Sequence, residues 1–384
     1  MKRKICQLCG VQFTYEKFLK NLCSELVSHN YEVTSIFKWD EIEIMPEQKG
    51  VKFKNIFFER KISFFSLIKT TYQLFKYFQK EKFDIIEIHT PSASIPGRIA
   101  AKLARIKVVI YKVHGYYFHE NMNFFNKMFH IYIEFFLAKL TDYIFTVSKE
   151  DEIFSKVFGF KKTEKIFYIG NGVNKNFFYP ASKLDITNAK ADFGVSDDLF
   201  IIGIVCRLVD EKGLLELFKA FDIIARNNKS IGLFVCGNKL KSDYKKGLEK
   251  ELEILKDKYE NRIFTPGHVK DVYRVYRVMD LFCLPSYREG LPYTLLEAMM
   301  SGIPVVASNI RGNREIITHN KNGLLCKPKS VYSLKNALEE LIENKNKRDE
   351  FSKEALNNVL ENYDSAKVLD REIKLIDKLS LKFF

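Results

Sequence analysis

Leu281–Ser308 reads LFCLPSYREGLPYTLLEAMMSGIPVVAS. Leu281–Leu284 is a short apolar run ended by Pro285 and Ser286, as in a buried strand and its exit. Tyr287–Leu291 reads as a loop. Pro292 suits a first helical position, where its missing N–H costs nothing. Tyr293–Ser301 continues as helix, and Gly302 fits the left-handed position just past a helix end. Pro304 blocks further helix, and Val305–Ala307 resumes as strand. In open α/β sheets, ligands bind between the C-terminal end of a strand and the helix that follows.

Two carboxylates stand here, Glu289 in the loop and Glu297 inside the helix. A helix N-terminus, with its N–H groups and dipole, seats phosphate. Phosphate repels a carboxylate beside it, so the natural partners of that carboxylate are hydroxyls. Carboxylates accept strongly from sugar and ribose hydroxyls. The stretch therefore reads as a sugar-nucleotide site. Leu295, Leu296, Ala298 and Met299 surround Glu297 and argue against a solvated helix face.

The alternation of strand and helix extends outward from this stretch. Lys4–Cys9 reads as a strand, Gly10–Thr14 as a loop, and Tyr15–His29 as a helix with Phe18, Leu22 and Leu26 on one face. Tyr31–Phe37 is the next strand, which opens a doubly wound domain. Gly10 has no GxGxxG around it, so the dinucleotide fingerprint is absent. Strands follow at Phe83–His89, Lys107–Val113, Asp142–Val147 and Lys165–Ile169. Thr90–Pro96 reads as a loop, Gly97–Ala104 as the start of a helix, and Ser148 as an N-cap. Asn174–Leu199 is polar and reads as an irregular connection. Phe200–Cys206 restarts the pattern, which runs through Ile231–Cys236, a helix at Tyr244–Lys258 and Ile263–Pro266 into the opening stretch. The expected domains are 1–178 and 197–363, with a final helix in 364–384. A ligand cleft is expected between two such domains.

At 384 residues and 46% hydrophobic content the chain is long enough for two cores, and disorder is not expected. Net charge is +14 and uneven. Residues 1–180 hold 28 Lys and Arg against 18 Asp and Glu. That basic half is rich in Phe and Tyr, which points to an anionic partner: nucleic acid, or an anionic membrane. No recognition helix or RNA motif supports nucleic acid. The seven Cys are an odd count in mostly apolar strands, as in reduced buried thiols. Cys6 and Cys9 lack the second pair that a zinc site needs. No apolar run approaches the roughly 20 residues that span a bilayer.

Glu289-Gly290, Glu297-Ala298 and Gly302-Ile303-Pro304-Val305-Val306-Ala307 together resemble glycosyltransferase family 4, retaining enzymes of GT-B fold. The resemblance implies two Rossmann-like domains facing across a cleft, with the last helix returning to the first domain. Arg207 and Lys212 flank the start of the helix after Phe200–Cys206, on the sheet edge that carries the Glu289 loop. Two cations there neutralise a diphosphate as charge develops on it. Arg207-Leu208-Val209-Asp210-Glu211-Lys212-Gly213 resembles the family's donor-phosphate motif. By the resemblance, Glu297 accepts from the ribose, and Glu289 with Gly290, Leu291 and Pro292 lies against the donor. His268 and Val269, in Gly267-His268-Val269, flank the base. His114, in His114-Gly115-Tyr116, resembles a histidine that contacts the donor sugar near the reacting carbon. Gly10, Phe13 and Thr14 resemble the Phe-Thr version of the acceptor loop, and His89, at the end of a neighbouring strand, is a fourth acceptor-side candidate.

The expected reaction moves a hexose or N-acetylhexosamine from a nucleotide-diphosphate sugar, UDP foremost, with retention. The expected acceptor is a polyprenyl-diphosphate-linked glycan. A sugar-nucleotide epimerase and a transferase acting on a soluble acceptor are the alternatives. No cofactor is expected. There is no Asp-x-Asp, and Arg207 and Lys212 would stand in for a metal. The expected location is the cytoplasmic face of an anionic membrane, with Lys61–Lys82 and the aromatic helices as the docking region.

Overall fold

A computed structural model describes residues 2–39, 46–59, 63–238 and 247–382. It divides into two units, Met1–Gly170 with Val368–Phe384, and Asn171–Lys367.

Among the described residues the first unit holds seven strands: β1 (Lys4–Val11), β2 (Glu32–Lys38), β3 (Val51–Asn55), β4 (Ile85–Ile88), β5 (Val108–Val113), β6 (Tyr143–Thr146) and β7 (Ile166–Tyr168). All pair in parallel, in the order β3-β2-β1-β4-β5-β6-β7. Parallel strands covered on both faces need near-continuous apolar runs. Strands β4, β5 and β6 meet that need, being buried along their whole length. The last helix, Ser365–Leu381, belongs to this core from Val368 onward. Val368, Ile373, Ile376 and Leu379 pack with Ile5, Cys9, Val33 and Phe37. The Tyr31 hydroxyl donates to Asp377 Oδ1 at 2.7 Å and ties the helix to the sheet.

The second unit holds β8 (Phe200–Val205), β9 (Ile231–Cys236), β10 (Ile263–Gly267), β11 (Leu281–Leu284), β12 (Val305–Ser308) and β13 (Leu324–Cys326). These too are all parallel, ordered β10-β9-β8-β11-β12-β13. In each sheet the strand order reverses once, at β1/β4 and at β8/β11. Those reversals are where doubly wound sheets bind ligands.

Several local expectations are corrected. Gly10–Thr14 is not a loop: β1 runs to Val11 and helix begins at Gln12, through a π-helical turn at Tyr15–Leu19. The Gln12 side chain donates to Glu16 at 2.9 Å, an i,i+4 pair that supports the early turn. Thr90–Pro96 is also mostly helix, because Pro91–Leu103 starts on a proline already set to a helical φ. Within 174–199 lies the helix Lys183–Asp192, opened by a Ser182–Asp185 capping box. Its polar surface gives no apolar stripe to read. Pro292 is the extended cap rather than the first residue of Tyr293–Met300. The expected helix start at Tyr244 lies outside the described residues, as does Lys61.

Cys6 and Cys9 sit on opposite faces of the first sheet, in separate core clusters. An i,i+3 spacing on a strand puts side chains on opposite faces. Among the described residues no helix is long and apolar enough to cross a membrane.

Candidate active site

In the second unit the two strands at the reversal, β8 and β11, supply most of the expected donor residues. Arg207 lies just past the end of β8 and is exposed. Lys212 closes the short 3-10 turn Asp210–Lys212. Gly213 follows at φ +68° and starts the helix Leu214–Asn227. A Cβ on Gly213 would lie 2.1 Å from the Pro285 carbonyl oxygen, so this helix end presses directly on the exit of β11. The backbone N–H of Tyr287 donates to the Glu211 carbonyl at 2.8 Å, joining the two loops. Across that junction the Lys212 ammonium donates to Glu289 Oε1 at 2.6 Å, both side chains largely buried. One expected cation and one expected carboxylate therefore meet.

Neither Leu214–Asn227 nor Tyr293–Met300 takes a side-chain cap at its N-terminus. Capping by Ser, Thr, Asp or Asn is the usual way to satisfy first-turn N–H groups. Two uncapped helix starts at one sheet edge, with Arg207 and Lys212 beside them, form an electropositive seat suited to a diphosphate. Glu297 lies one turn into Tyr293–Met300. Its Oε2 accepts from the hydroxyl of fully buried Tyr276 at 2.6 Å. Burial and the neighbouring Glu297 charge push the Tyr276 phenol well above its ordinary pKa, so it stays a donor. Leu291 is buried, and its carbonyl accepts from Asn171 Nδ2 at 2.7 Å. Gly312, at φ +87°, comes so close that a Cβ there would lie 2.2 Å from the Gly290 carbonyl oxygen. His268 and Val269 follow β10, two strands from β8 on the same edge, with His268 exposed.

The first unit collects Gly10, His89 and His114 at its own reversal and the strand beside it. The N–H of Gly10 donates to Thr90 Oγ1 at 3.0 Å. Phe13 is half-exposed and meets Phe18 edge-on, while Thr14 is buried. His89 is fully buried, with Nε2 2.7 Å from Gln7 Oε1 and Nδ1 3.1 Å from His114 Nε2. His114 is only partly buried, with Phe18 6.1 Å away between ring centroids. Loss of hydration, then the Lys112 charge, pushes His114 down to about 3, so the imidazole is neutral at ordinary pH.

Residues 15–177 match the family model described as Glycosyltransferase Family 4, and residues 185–358 match Glycosyl transferases group 1. A UDP-Gal:alpha-D-GlcNAc-diphosphoundecaprenol alpha-1,3-galactosyltransferase of Escherichia coli is 30% identical over 315 residues, 81% of this chain and 80% of the relative. The chain belongs to glycosyltransferase family 4. The capsular polysaccharide biosynthesis glycosyltransferase CapM of Staphylococcus aureus is 27% identical over 84% of each chain. In structure, Anabaena HepE in complex with UDP and glucose superposes with a TM-score of 0.79, at 21% identity over 98% of this chain and 99% of that one. Sucrose-phosphate synthase of Thermosynechococcus elongatus gives 0.81 at 18% identity, over 98% and 99%. Both structural likenesses are likenesses of fold, and the fold is GT-B.

The chain is thus a family 4 transferase enzyme, and its donor-edge residues stand where a parallel sheet binds ligands. Sequence reading missed the residues that hold the candidate side chains: Tyr276, Asn171 and Gly312 in the second unit, and Gln7, Glu87, Lys112 and Glu372 around His89 and His114 in the first. For three of these a signal existed. Gln7, Glu87 and Lys112 each interrupt an otherwise apolar strand.

Proposed function

We propose that this family 4 glycosyltransferase moves a hexose or N-acetylhexosamine from a UDP-sugar to a polyprenyl-diphosphate-linked glycan, with retention of configuration. The observation that carries the reading is the β8/β11 edge. There two uncapped helix starts, Arg207 and the Lys212–Glu289 pair converge, with Glu297 one turn further on. Arg207 and Lys212 hold the donor diphosphate and stabilise it as it leaves. Glu297, fixed by Tyr276, accepts from the ribose hydroxyls. Glu289 releases part of its hold on Lys212 to the incoming phosphate and accepts from the sugar. His114, neutral and partly exposed, offers an acceptor atom to sugar hydroxyls. UDP and the lipid diphosphate are supported by the E. coli relative, whose name carries both.

Two aromatic helix faces in the first unit support action at the cytoplasmic face of an anionic membrane. In Phe124–Ala138, exposed Phe125, Phe129, Tyr132 and Phe136 recur at helical spacing. In Phe64–Glu81, exposed Phe65, Ile68 and Tyr72 do the same, with Lys69, Lys76 and Lys80 on that helix. Exposed rings flanked by Lys are how interfacial helices seat in lipid.

The test is thermal stability in EDTA with UDP, GDP, ADP and dTDP. A nucleotide at about 100 times its dissociation constant adds roughly 2.7 kcal/mol, a few degrees at this domain size. A shift with UDP that is lost in Arg207→Ala and Glu297→Ala supports the donor site. No shift with any nucleotide sinks it, and a shift with GDP alone moves the donor class. Turnover that requires the lipid-linked glycan then supports the acceptor, and equal turnover of a soluble glycan removes it.

A further inference from the structure

Behind His114 the first unit buries a chain of polar groups that packing alone does not require. Gln7 on β1 and Glu87 on β4 are direct register partners. Both are fully buried, and Gln7 Nε2 donates to Glu87 Oε2 at 2.9 Å. His89 lies two residues beyond Glu87, so it points to the same face of the sheet. Beside them Lys112 of β5 pairs with Glu372 of the C-terminal helix at 2.5 Å, both nearly inaccessible. Hydrogen bonding along the chain is directional. With its amide nitrogen committed to Glu87, Gln7 turns its oxygen to His89 and accepts from Nε2–H. The neutral His89 then carries its lone pair on Nδ1. That lone pair accepts from His114 Nε2–H, which leaves Nδ1 as the acceptor atom of the His114 ring.

We propose that Gln7, Glu87 and His89 are positioning residues that hold His114 as the Nε2–H tautomer, so that its Nδ1 is the ring atom left to accept a hydrogen bond from a substrate hydroxyl. The geometry of the chain stands by itself, and the role given to the Nδ1 atom rests on the transferase reading above. A fixed acceptor aimed at a substrate hydroxyl orients the sugar before reaction, and small errors in such placement cost rate rather than affinity. The buried Lys112–Glu372 pair fastens the C-terminal helix against this part of the sheet. Its carboxylate also keeps negative charge close to Glu87.

The experiment is a long-range proton–nitrogen NMR correlation on the full chain labelled with 15N-histidine, in which a ring's tautomer is read directly. His89 and His114 are assigned by the loss of their signals in His89→Gln and His114→Gln. The expected wild-type result is hydrogen on Nε2 of both rings. Glu87→Gln keeps that pattern, because an amide oxygen still accepts from Gln7. Gln7→Leu removes the acceptor, so His89 moves its hydrogen to Nδ1 and drives His114 to the Nδ1–H form. In the same variant kcat falls about tenfold to a hundredfold, while the donor KM stays within about twofold. Hydrogen on His114 Nδ1 in the wild-type protein, as when Glu87 donates to the Gln7 oxygen, overturns the proposal with no variant needed. Unchanged tautomers in Gln7→Leu overturn it as well. Undiminished transfer by His114→Gln overturns the role of the Nδ1 atom. Failure of UDP to bind the wild-type chain is a separate result, which tells against the donor reading instead.

Discussion

Glu87→Gln should make the first unit more stable in mild alkali. Glu87 is fully buried in β4, and burial with the Glu372 charge beside it pushes its carboxyl up from 4.5 to about 8. Between those values the folded state holds a proton that the unfolded state has released. Stability attached to this group is therefore complete below about 4.5 and is lost as pH rises through 8. The two buried-side histidines act in the opposite sense and lower down. His89 and His114 are held well below 6.5, so the cost of keeping them neutral fades out over about one pH unit above that value and grows below it. Glu87→Gln keeps both histidines, so the difference between the two proteins from pH 6.5 to 8 isolates Glu87. One pKa unit is about 1.36 kcal/mol, so Glu87 itself should cost wild type roughly 1–2 kcal/mol across this window. Glutamine has nearly the same shape and no proton to lose. The assay is urea unfolding at pH 6.5 and pH 8, followed by Trp39, the one tryptophan of the chain and a residue of the first unit. Relative to wild type, the variant should gain roughly that amount between the two pH values. Parallel curves for the two proteins would refute the claim that Glu87 is protonated in the fold.

Tyr276→Phe removes the hydroxyl that donates to Glu297, and UDP affinity should fall about tenfold, the worth of one charge-assisted hydrogen bond. Calorimetry checks it, and unchanged affinity would make Tyr276 a packing residue only. Gly312→Ala places a Cβ against the Gly290 carbonyl at positive φ, at a cost of about 1–2 kcal/mol for the backbone alone. Melting should drop by a few degrees and the donor KM should rise. A normal KM would show that the Glu289–Gly290 loop does not need its present position. The pair Phe125→Ser and Phe129→Ser should weaken flotation with anionic vesicles by about 2 kcal/mol or more, from two exposed rings. Nucleotide binding should be untouched, and unchanged flotation would remove this helix from any membrane contact.

The parallel sheets were legible because they must be. Strands such as Ile231–Cys236 and Leu281–Leu284 are buried along their whole length, and no other arrangement tolerates such short, continuous apolar runs between helices. The meeting of Lys212 with Glu289, 77 positions apart, was legible because each follows a strand at the same edge of a parallel sheet. Lys212 and Gly213 adjoin at one helix start, and Glu297 lies eight positions after Glu289, across the loop and first turn of the other. The helices Pro91–Leu103 and Lys183–Asp192 were hidden for a local reason. Proline and polar residues read as breakers, yet at a helix start they are caps and first-turn residues.

The His114 support was hidden for a different reason, one that bears on where such sites are to be sought. His89 read as a strand-end histidine open to ligand, but sheet register buries it against Gln7, 82 positions away. Lys112 and Glu372 are separated by 260 positions and meet only because the last helix packs on the first sheet. No local pattern links these residues. Each nevertheless violates the apolar rule of its own element, and burying an unpartnered polar group is costly enough that each violation demands a partner. Gln7, Glu87 and Lys112 fall on one face of three strands that are neighbours in the sheet, β1, β4 and β5. Strand order alone, without side-chain detail, would have gathered them into one buried cluster. In a doubly wound domain the polar residue inside each central strand is thus a sharper guide to the second layer of a site than any exposed motif.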